Sequence, residues 1–215
     1  MADLVALAKT SHLVKHFDGS IIPDEKIAVL RAVLHSAPSS FNIQATHYVI
    51  AGSPLARARI AKSVVELNEV KIRTASHVIV FASRTALTDA HMNAVASQEH
   101  ADGRFPTAEL ETRWRELVRG GVLAHEEHLR DMPHWIEKQT YLALGIALMT
   151  AAELGIDALP MEGFDPNALD EELGLRGTSY RSTVLLALGR QSPSDYIINT
   201  PKSRLPEAQL FTLLE

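Results

Sequence analysis

Apolar and polar residues alternate along the chain in patterns that predict both helices and short strands. In residues 3–10 the leucines and alanines recur at helical spacing. The segment SIIPDEKIAVLRAVLHSA repeats this pattern, so we expect a second helix to begin near Pro23 and Asp24. The segment SPLARARIAKSVVEL predicts a further helix, in which Ser53 is the N-cap and Pro54 takes the first helical position.

Runs of β-forming residues predict a small sheet. HYVIAG at 47–52 and SHVIVFASR at 76–84 are the first two strands, and the second is apolar enough to be buried on both faces. GIDALPMEGFDP predicts a short strand with a tight turn, and YRSTVLLALGR predicts a last, long strand. Helices outnumber strands, so the pattern favours an α+β fold around a small sheet.

The second half of the chain contains the longest helical patterns. Residues 85–135 are mostly helical and charged, and we expect breaks at 101–106 and at Gly120-Gly121. The helix at 136–154 is apolar around most of its circumference, so it must be buried by protein on nearly all sides, which suggests that a second subunit covers it. The tail from residue 199 onward ends in an apolar stretch that needs a partner.

Composition narrows the class of protein. The 215 residues are 46% hydrophobic and 22% charged with a formal net charge of -5, which predicts one globular domain over 1–215. Nucleic acid is not expected as a partner, because no basic block is present. Cysteine is absent, so disulfides and thiol chemistry are excluded, and this fits a reducing cytoplasm. No secretory signal is visible and the run YLALGIALMTAAELGI is too short for a membrane span, so we expect a cytoplasmic protein with no membrane partner.

The usual motifs for metal, nucleophilic and nucleotide chemistry are missing. HEEH places His125 and His128 three residues apart on a predicted helix, but it does not match HExxH, and a solvated helical face explains it better. No GxSxG elbow, Rossmann fingerprint or Walker loop occurs. We therefore predict no metal site and no catalytic triad.

Scattered polar segments remain as candidate ligand sites. Lys202 and Arg204 could bind a phosphate or simply be solvated charges. Glu162 and Gly163 could direct N–H groups at a ligand or form an ordinary turn. Asn68 can donate and accept hydrogen bonds, as reading an imide edge requires. The residues alone leave each of these alternatives open.

The order of these segments resembles one family along nearly the whole chain. The stretches APSSFNIQ, QEHADGRF, GIDALPMEGFD and TPKSRLP occur in the order found in the nitroreductase family, in its branch of oxygen-insensitive NAD(P)H nitroreductases and dihydropteridine reductases. The resemblance implies a small, mostly antiparallel sheet flanked by helices in an intertwined homodimer. Residues 85–135 would cover the substrate site, and a C-terminal arm at 199–215 would reach the partner subunit.

The same resemblance implies an enzyme that carries FMN. NADH or NADPH would give a hydride to the flavin, and a nitroaromatic compound or a quinone would then take two electrons in a ping-pong cycle. The flavin N5 atom carries this chemistry, so no catalytic side chain is expected. An alternative is a flavin-binding protein for storage or sensing with little turnover.

Site residues follow from the resemblance position by position. Lys15 and Lys71 would stabilise negative charge at the flavin N1 and C2 carbonyl, Asn68 would read the pyrimidine edge, and the backbone at Glu162–Gly163 would donate near N5 and O4. Lys202 and Arg204 would hold the phosphate. The cofactor-binding residues implied are Ser11, His12, Lys15, Pro38, Ser39, Ser40, Asn42, Asn68, Lys71, Pro160, Glu162, Gly163, Lys202 and Arg204. Of these, Pro38, Ser39, Ser40 and Asn42 would contact the flavin held by the other subunit.

Three departures from the family pattern affect the predicted site. Ser11 and Leu13 stand where the family has an arginine and a serine that touch the flavin phosphate, so weaker FMN binding is expected. Phe41 replaces a small polar residue, and Gly120-Gly121 replace aromatic residues on the helix that covers the substrate. We therefore assign Phe41, Gly120 and Gly121 to the substrate pocket, with Arg104 near the nicotinamide nucleotide, and expect a changed substrate preference and a looser or kinked cover.

Overall fold

The computed structural model describes residues 3–10 and 14–214, and a four-stranded antiparallel sheet lies at their centre. The order across the sheet is β1-β2-β4-β3, so the two longest strands occupy the middle. The strands are β1 (Thr46–Ala51), β2 (His77–Arg84), β3 (Asp157–Met161) and β4 (Tyr180–Gly189). All three strand pairs are antiparallel, which confirms the predicted fold class.

Helices cover both faces of this sheet. They are α1 (Leu4–Thr10), α2 (Asp24–His35), α3 (Pro54–Ala61), α4 (Glu66–Thr74), α5 (Asp89–Ala101), α6 (Ala108–Leu123), α7 (Met132–Glu153), α8 (Pro166–Glu172) and α9 (Glu207–Leu210). Helices α2 and α7 pack on the face that carries Ile79 and Phe81. Helices α3, α4 and α8 pack on the opposite face, which carries Val78 and Val80. Alternate residues of β2 thus point to two separate cores, as the pleat of a strand requires.

The segment SPLARARIAKSVVEL does not form one helix, contrary to the sequence prediction. Ser53 caps α3 as predicted, since its Oγ accepts the N–H of Ala56 at 3.1 Å. However, α3 ends at Ala61 and α4 begins only at Glu66. The residues between them turn to pair with the loop after β3: Val65 N–H donates to Gly163 O at 3.1 Å. A tertiary pairing therefore overrides the local helical preference and brings α4 to that loop.

The predicted break at Gly120-Gly121 is also wrong. Helix α6 continues through both glycines to Leu123, and the irregularity follows as a π-helical turn over Ala124–His128. The break at 101–106 is confirmed, because α5 ends at Ala101 and α6 begins at Ala108. Helix α7 starts at Met132, four positions before the predicted start, and α8 was not predicted.

Helix α7 is buried on the side that faces the sheet. Ala143, Ala147 and Ala151 lie in the core there. Tyr141, Leu142 and Met149 lie on the helix with substantial exposure, so a single chain leaves one side of the helix uncovered. That a second subunit covers this side stays a prediction. Large apolar side chains of the tail, including Leu213 and Leu214, are also exposed. In the described part of the chain, no helix is both long and apolar enough to cross a membrane.

Candidate functional site

Helix α4 and the loop after β3 are joined by one amide side chain. Asn68 is buried, and its Nδ2 donates to Gly163 O at 3.1 Å. Its Oδ1 accepts from Nζ of Lys71 at 2.7 Å, because the two residues lie one turn apart on α4. These bonds fix the side chains of Asn68 and Lys71 in one orientation at the edge of the loop.

The loop itself presents donors at this place. A Cβ on Gly163 would lie 2.7 Å from Nδ2 of Asn68, so only glycine allows this approach. Among residues 3–10 and 14–214, the N–H groups of Glu162 and Gly163 donate to no protein acceptor. Pro160 precedes the loop within β3, opposite Leu186. The loop therefore has two backbone donors available for a ligand.

Two lysines concentrate positive charge beside this loop. Burial lowers the pKa of Lys71, and the nearby charge of Lys15 lowers it further. The main chain at Lys15 is held by the buried Asp195, whose Oδ2 accepts the N–H of Lys15 at 2.8 Å and that of His16 at 3.1 Å. An anionic ligand between the two ammonium groups would relieve their repulsion.

The predicted phosphate-binding residues share a cavity with Lys15. This cavity has a volume of about 730 Å³, and its lining includes Lys15, Lys202, Arg204, Gly145 and Met149. Lys202 is exposed, and its Nζ donates to the carbonyl of Ala8. Arg204 is exposed as well, and its Nη1 donates to Ser203 O at 2.6 Å. Both cations thus border the cavity on its solvent side.

A second group of predicted residues lies between the 40–42 turn and helices α5 and α6. Phe41 and Asn42 have positive φ angles of 48° and 53°. Asn42 Nδ2 donates to Oε1 of Glu99 at 2.8 Å, and Arg104 Nη1 lies 3.3 Å from the same oxygen. Gly121 faces the ring of Phe41 from α6, whereas Gly120 faces open space. The structure therefore brings together Phe41, Asn42, Arg104 and Gly121.

Pro38 and Ser39 line a different cavity. Its volume is about 610 Å³, and Tyr48 and Gln139 also line it. The N–H of Ser40 donates to Oε1 of Gln139 at 2.8 Å, which ties the turn to α7. In one chain, the predicted cofactor residues are thus divided between two places: the surroundings of Gly163, with Lys15 and Lys71, and the 38–42 segment.

Three predicted residues receive no structural test. Ser11 and His12, together with Leu13, lie outside the described residues. The structure therefore says nothing about how the flavin phosphate would be held at the N-terminal segment. The expectation of weaker FMN binding stays a prediction.

The HEEH segment does not form a regular helical face. His125 lies in the π-helical turn, where its Nδ1 is 2.6 Å from Asp131 Oδ1 and its ring stacks on Trp135 at 3.9 Å. The histidine holds the pKa of Asp131 below its ordinary value by hydrogen bonding. No group of three potential metal ligands occurs within the described ranges. His125 thus has a structural role beside the 40–42 turn, since Trp135 also contacts Phe41.

Sequence reasoning missed three residues that organise the site. Asp195 positions Lys15 and Glu99 positions Asn42, as described above. Tyr141 donates its hydroxyl hydrogen to Glu162 Oε1 at 2.5 Å, and burial together with that carboxylate raises the pKa of Tyr141 to about 12. Glu99 lies inside the QEHADGRF stretch that carries the family resemblance, so the sequence did point to this residue. Nothing in the sequence pointed to Asp195 or Tyr141, because their partners are distant along the chain.

Comparison with known proteins identifies the family of the chain. The model of the nitroreductase family matches residues 9–190. The oxygen-insensitive NAD(P)H nitroreductase of Enterobacter cloacae is 37% identical over 214 residues, covering 98% of this chain and 99% of that protein. The enzyme of the same description from Salmonella typhimurium is 39% identical over 208 residues, covering 95% and 96%.

A solved structure shares the fold along the entire chain. It is a nitroreductase candidate from Exiguobacterium sibiricum in complex with FMN. The two structures superpose with a TM-score of 0.83 at 21% sequence identity, covering 100% of this chain and 98% of the other. At this identity the similarity concerns the fold.

Proposed function

Because the chain belongs to the nitroreductase family, we propose that it is an FMN-dependent oxidoreductase that uses NAD(P)H to reduce nitroaromatic compounds or quinones. The donor and the acceptor would use the same face of the flavin in turn, in a ping-pong cycle. FMN, when bound, supplies the hydride chemistry at its N5 atom, so the protein needs no nucleophile of its own. The relatives' names and the FMN-containing structure of the same fold support this proposal.

The observation that carries the proposal is the set of groups around Gly163. A flavin needs donors for its N5 and carbonyl atoms and positive charge beside the N1 and C2 edge, where negative charge develops on reduction. Within the described residues, the N–H groups of Glu162 and Gly163 have no protein acceptor, and the ammonium groups of Lys15 and Lys71 lie near one another. The residues present therefore fit the isoalloxazine ring.

Each of these residues would bind or orient. Lys71 and Lys15 would hold the electron-accepting edge by charge, and Asn68 would keep Lys71 aimed at it through the 2.7 Å hydrogen bond. The N–H groups of Glu162 and Gly163 would donate hydrogen bonds near N5 and O4. Pro160 would set the direction in which the chain leaves β3 for this loop. Lys202 and Arg204, on the solvent side of the neighbouring cavity, would hold the phosphate.

We propose that the complete site requires a homodimer. The 38–42 segment would contact the flavin held by the partner subunit through Pro38, Ser39, Ser40 and Asn42. Two features of the single chain support this assembly: the exposed apolar residues of α7 and the exposed apolar tail. Burying such surfaces is the main favourable term in most protein associations. The 199–215 arm would reach the partner, and residues 85–135 would cover the substrate site.

Acceptor choice would be set where α6 meets the 40–42 turn. Phe41 would border the acceptor, and the glycines at 120 and 121 remove side chains from the covering helix. Arg104 would lie near the nicotinamide nucleotide, held by Glu99 and by the ring of Trp114 at 5.3 Å. We expect a substrate preference that differs from that of the two enterobacterial relatives. A cytoplasmic location is proposed as well, because NAD(P)H is a cytoplasmic electron donor.

The test is the visible absorption spectrum of the purified protein, before and after anaerobic addition of NADH or NADPH. A bound flavin that bleaches on addition, and is reoxidised by a nitroaromatic compound or a quinone, is the expected result. A bound flavin that is never bleached would identify a flavin-binding protein for storage or sensing instead. Protein that binds no flavin even with added FMN would contradict the proposal.

A further inference from the structure

The turn at Phe41 and Asn42 is held in an unfavourable backbone conformation. Both residues have positive φ, at 48° and 53°, in a region that residues other than glycine seldom occupy. Two such residues in succession persist only where the surrounding structure imposes the conformation, and such strain concentrates at ligand sites. The contacts of this turn therefore show what imposes it.

One buried carboxylate supplies the polar contact. Glu99 on α5 is 5% exposed, and both of its oxygens are used. Oε1 accepts from Asn42 Nδ2 at 2.8 Å and lies 3.3 Å from Arg104 Nη1, while Oε2 accepts from Trp114 Nε1 at 3.1 Å. The carboxylate therefore joins the turn to both α5 and α6.

The chemistry of a carboxylate decides how the amide of Asn42 is oriented. An ionised carboxylate only accepts hydrogen bonds, so the side of Asn42 that faces Glu99 must be its NH₂ group. The carbonyl oxygen Oδ1 is then directed away from Glu99. If Glu99 did not impose this orientation, the amide could adopt either of two orientations, because the two ends of an asparagine side chain have nearly the same shape.

We propose that Glu99 is a positioning residue that makes Asn42 present a hydrogen-bond acceptor to the bound flavin. The matching group on the ligand is a donor, a hydroxyl of the ribityl chain or an N–H of the ring. This inference rests on the proposed function, since the flavin is the ligand concerned. It assigns to Glu99 a role that acts through Asn42, without contact between Glu99 and the cofactor.

Exchange of donor and acceptor within the pair tests this role. Glu99→Gln keeps the size of the side chain but lets the asparagine amide turn round, which directs Nδ2 at the flavin. Asn42→Asp places two carboxylates against each other. In the double variant, Nε2 of the glutamine can donate to the aspartate, whose outer oxygen is again an acceptor. The matched control is Glu111→Gln, a carboxylate that accepts from Arg115 and His100 and does not contact Asn42.

The first readout is the dissociation constant of FMN together with KM and kcat for one nitroaromatic acceptor. We expect each single variant to weaken FMN binding by about tenfold, the double variant to recover to within about threefold of the native protein, and the control to change nothing. A role in folding alone would lower stability in the single variants and leave the dissociation constant unchanged. Equal weakening in the single and double variants would overturn the proposal.

The second readout needs no flavin. It is the side-chain NH₂ signal of Asn42 in a ¹⁵N NMR spectrum of the flavin-free protein. This signal is assigned as the one that disappears in the variant Asn42→Asp. We expect this signal to be protected from exchange and to shift in Glu99→Gln. An unprotected signal that Glu99→Gln leaves in place would overturn the positioning role, whatever the outcome with flavin. A protein that binds no FMN at all, with this signal behaving as expected, would instead contradict the proposed function.

Discussion

The ring of Phe41 occupies the space that a side chain on Gly121 would need. A Cβ built on Gly121 would lie 2.6 Å from Cε2 of the phenylalanine, much closer than carbon atoms approach in real structures. Helix α6 therefore contacts the 40–42 turn through its backbone at this point. A Cβ on the neighbouring Gly120 would have no such heavy atom within 4 Å, so the two glycines have different roles.

Substitution of these glycines by alanine should have opposite effects. Gly121→Ala forces the ring of Phe41 aside, and overpacking of this kind costs about 1–3 kcal/mol, which outweighs the gain in helix propensity. Gly120→Ala has room for its methyl group and should raise the free energy of unfolding by about 0.5–1 kcal/mol. Urea denaturation of both variants measures the difference.

The double variant Phe41→Ala/Gly121→Ala identifies the cause of any loss. Since the alanine at 121 then meets no ring, the added cost of Gly121→Ala should disappear in the Phe41→Ala background. Persistence of the full cost there would show that the contact with Phe41 is not responsible. Stabilisation by both single glycine substitutions would contradict the packing described above.

Removal of the charge at Lys71 should weaken flavin binding. The charged form of Lys71 is already disfavoured by burial and by Lys15, which lower its pKa. Lys71→Met should therefore raise the FMN dissociation constant by about tenfold to a hundredfold, as expected for one charge-assisted hydrogen bond. Fluorescence titration of FMN measures it. Lys62→Met is the control, because Lys62 is exposed and pairs with Glu172; an equal loss in both variants would refute a specific role for Lys71.

The hydrogen bond between Tyr141 and Glu162 should make stability sensitive to alkaline pH. The pKa of Tyr141 is raised to about 12 by burial and by the Glu162 carboxylate, compared with an ordinary value of 10.0. The neutral hydroxyl thus stabilises the folded state fully below about pH 10, and this contribution is lost as the pH rises through the folded pKa. Tyr141→Phe should lose the phenol ionisation near pH 12 in an absorbance titration at 295 nm. If the titration curves of Tyr141→Phe and the native protein are identical near pH 12, the raised pKa does not belong to Tyr141.

Acid should destabilise the protein through His77. Burial and the charge of Arg57 lower the pKa of this histidine below its ordinary value of 6.5, although Asp24 acts in the opposite direction. Its contribution is present above pH 6.5 and is lost as the pH falls through the lower folded value. The free energy of unfolding of His77→Gln should therefore fall less steeply between pH 7 and 5 than that of the native protein. His134→Gln, at an exposed position on α7, is the control and should keep the native slope. His91, whose pKa burial also lowers, is expected to contribute to the remaining slope.

Hydrophobic patterning was sufficient to predict the strands of the central sheet, and the family resemblance added their mostly antiparallel arrangement. β2 and β4 were identified from continuous apolar runs, because strands buried on both faces leave no polar positions in the pattern. The cap at Ser53 and Pro54 was read correctly, since it depends on residues within one helical turn. The short motifs likewise identified the family, because their order is a property of the sequence.

Sequence patterns did not predict the features that depend on contacts between distant segments of the chain. The break between α3 and α4 arises because Val65 pairs with Gly163, and no local signal opposes a helix there. Gly120-Gly121 were expected to break α6, yet Gly121 is where the ring of Phe41 meets the helix. The orientation of Lys15 depends on Asp195, 180 residues further along the chain. The sequence by itself thus determined the strands of the sheet, most of the helices and the family. Only the tertiary structure decided which side chains meet, because contacts between distant segments depend on packing geometry that local patterns do not encode.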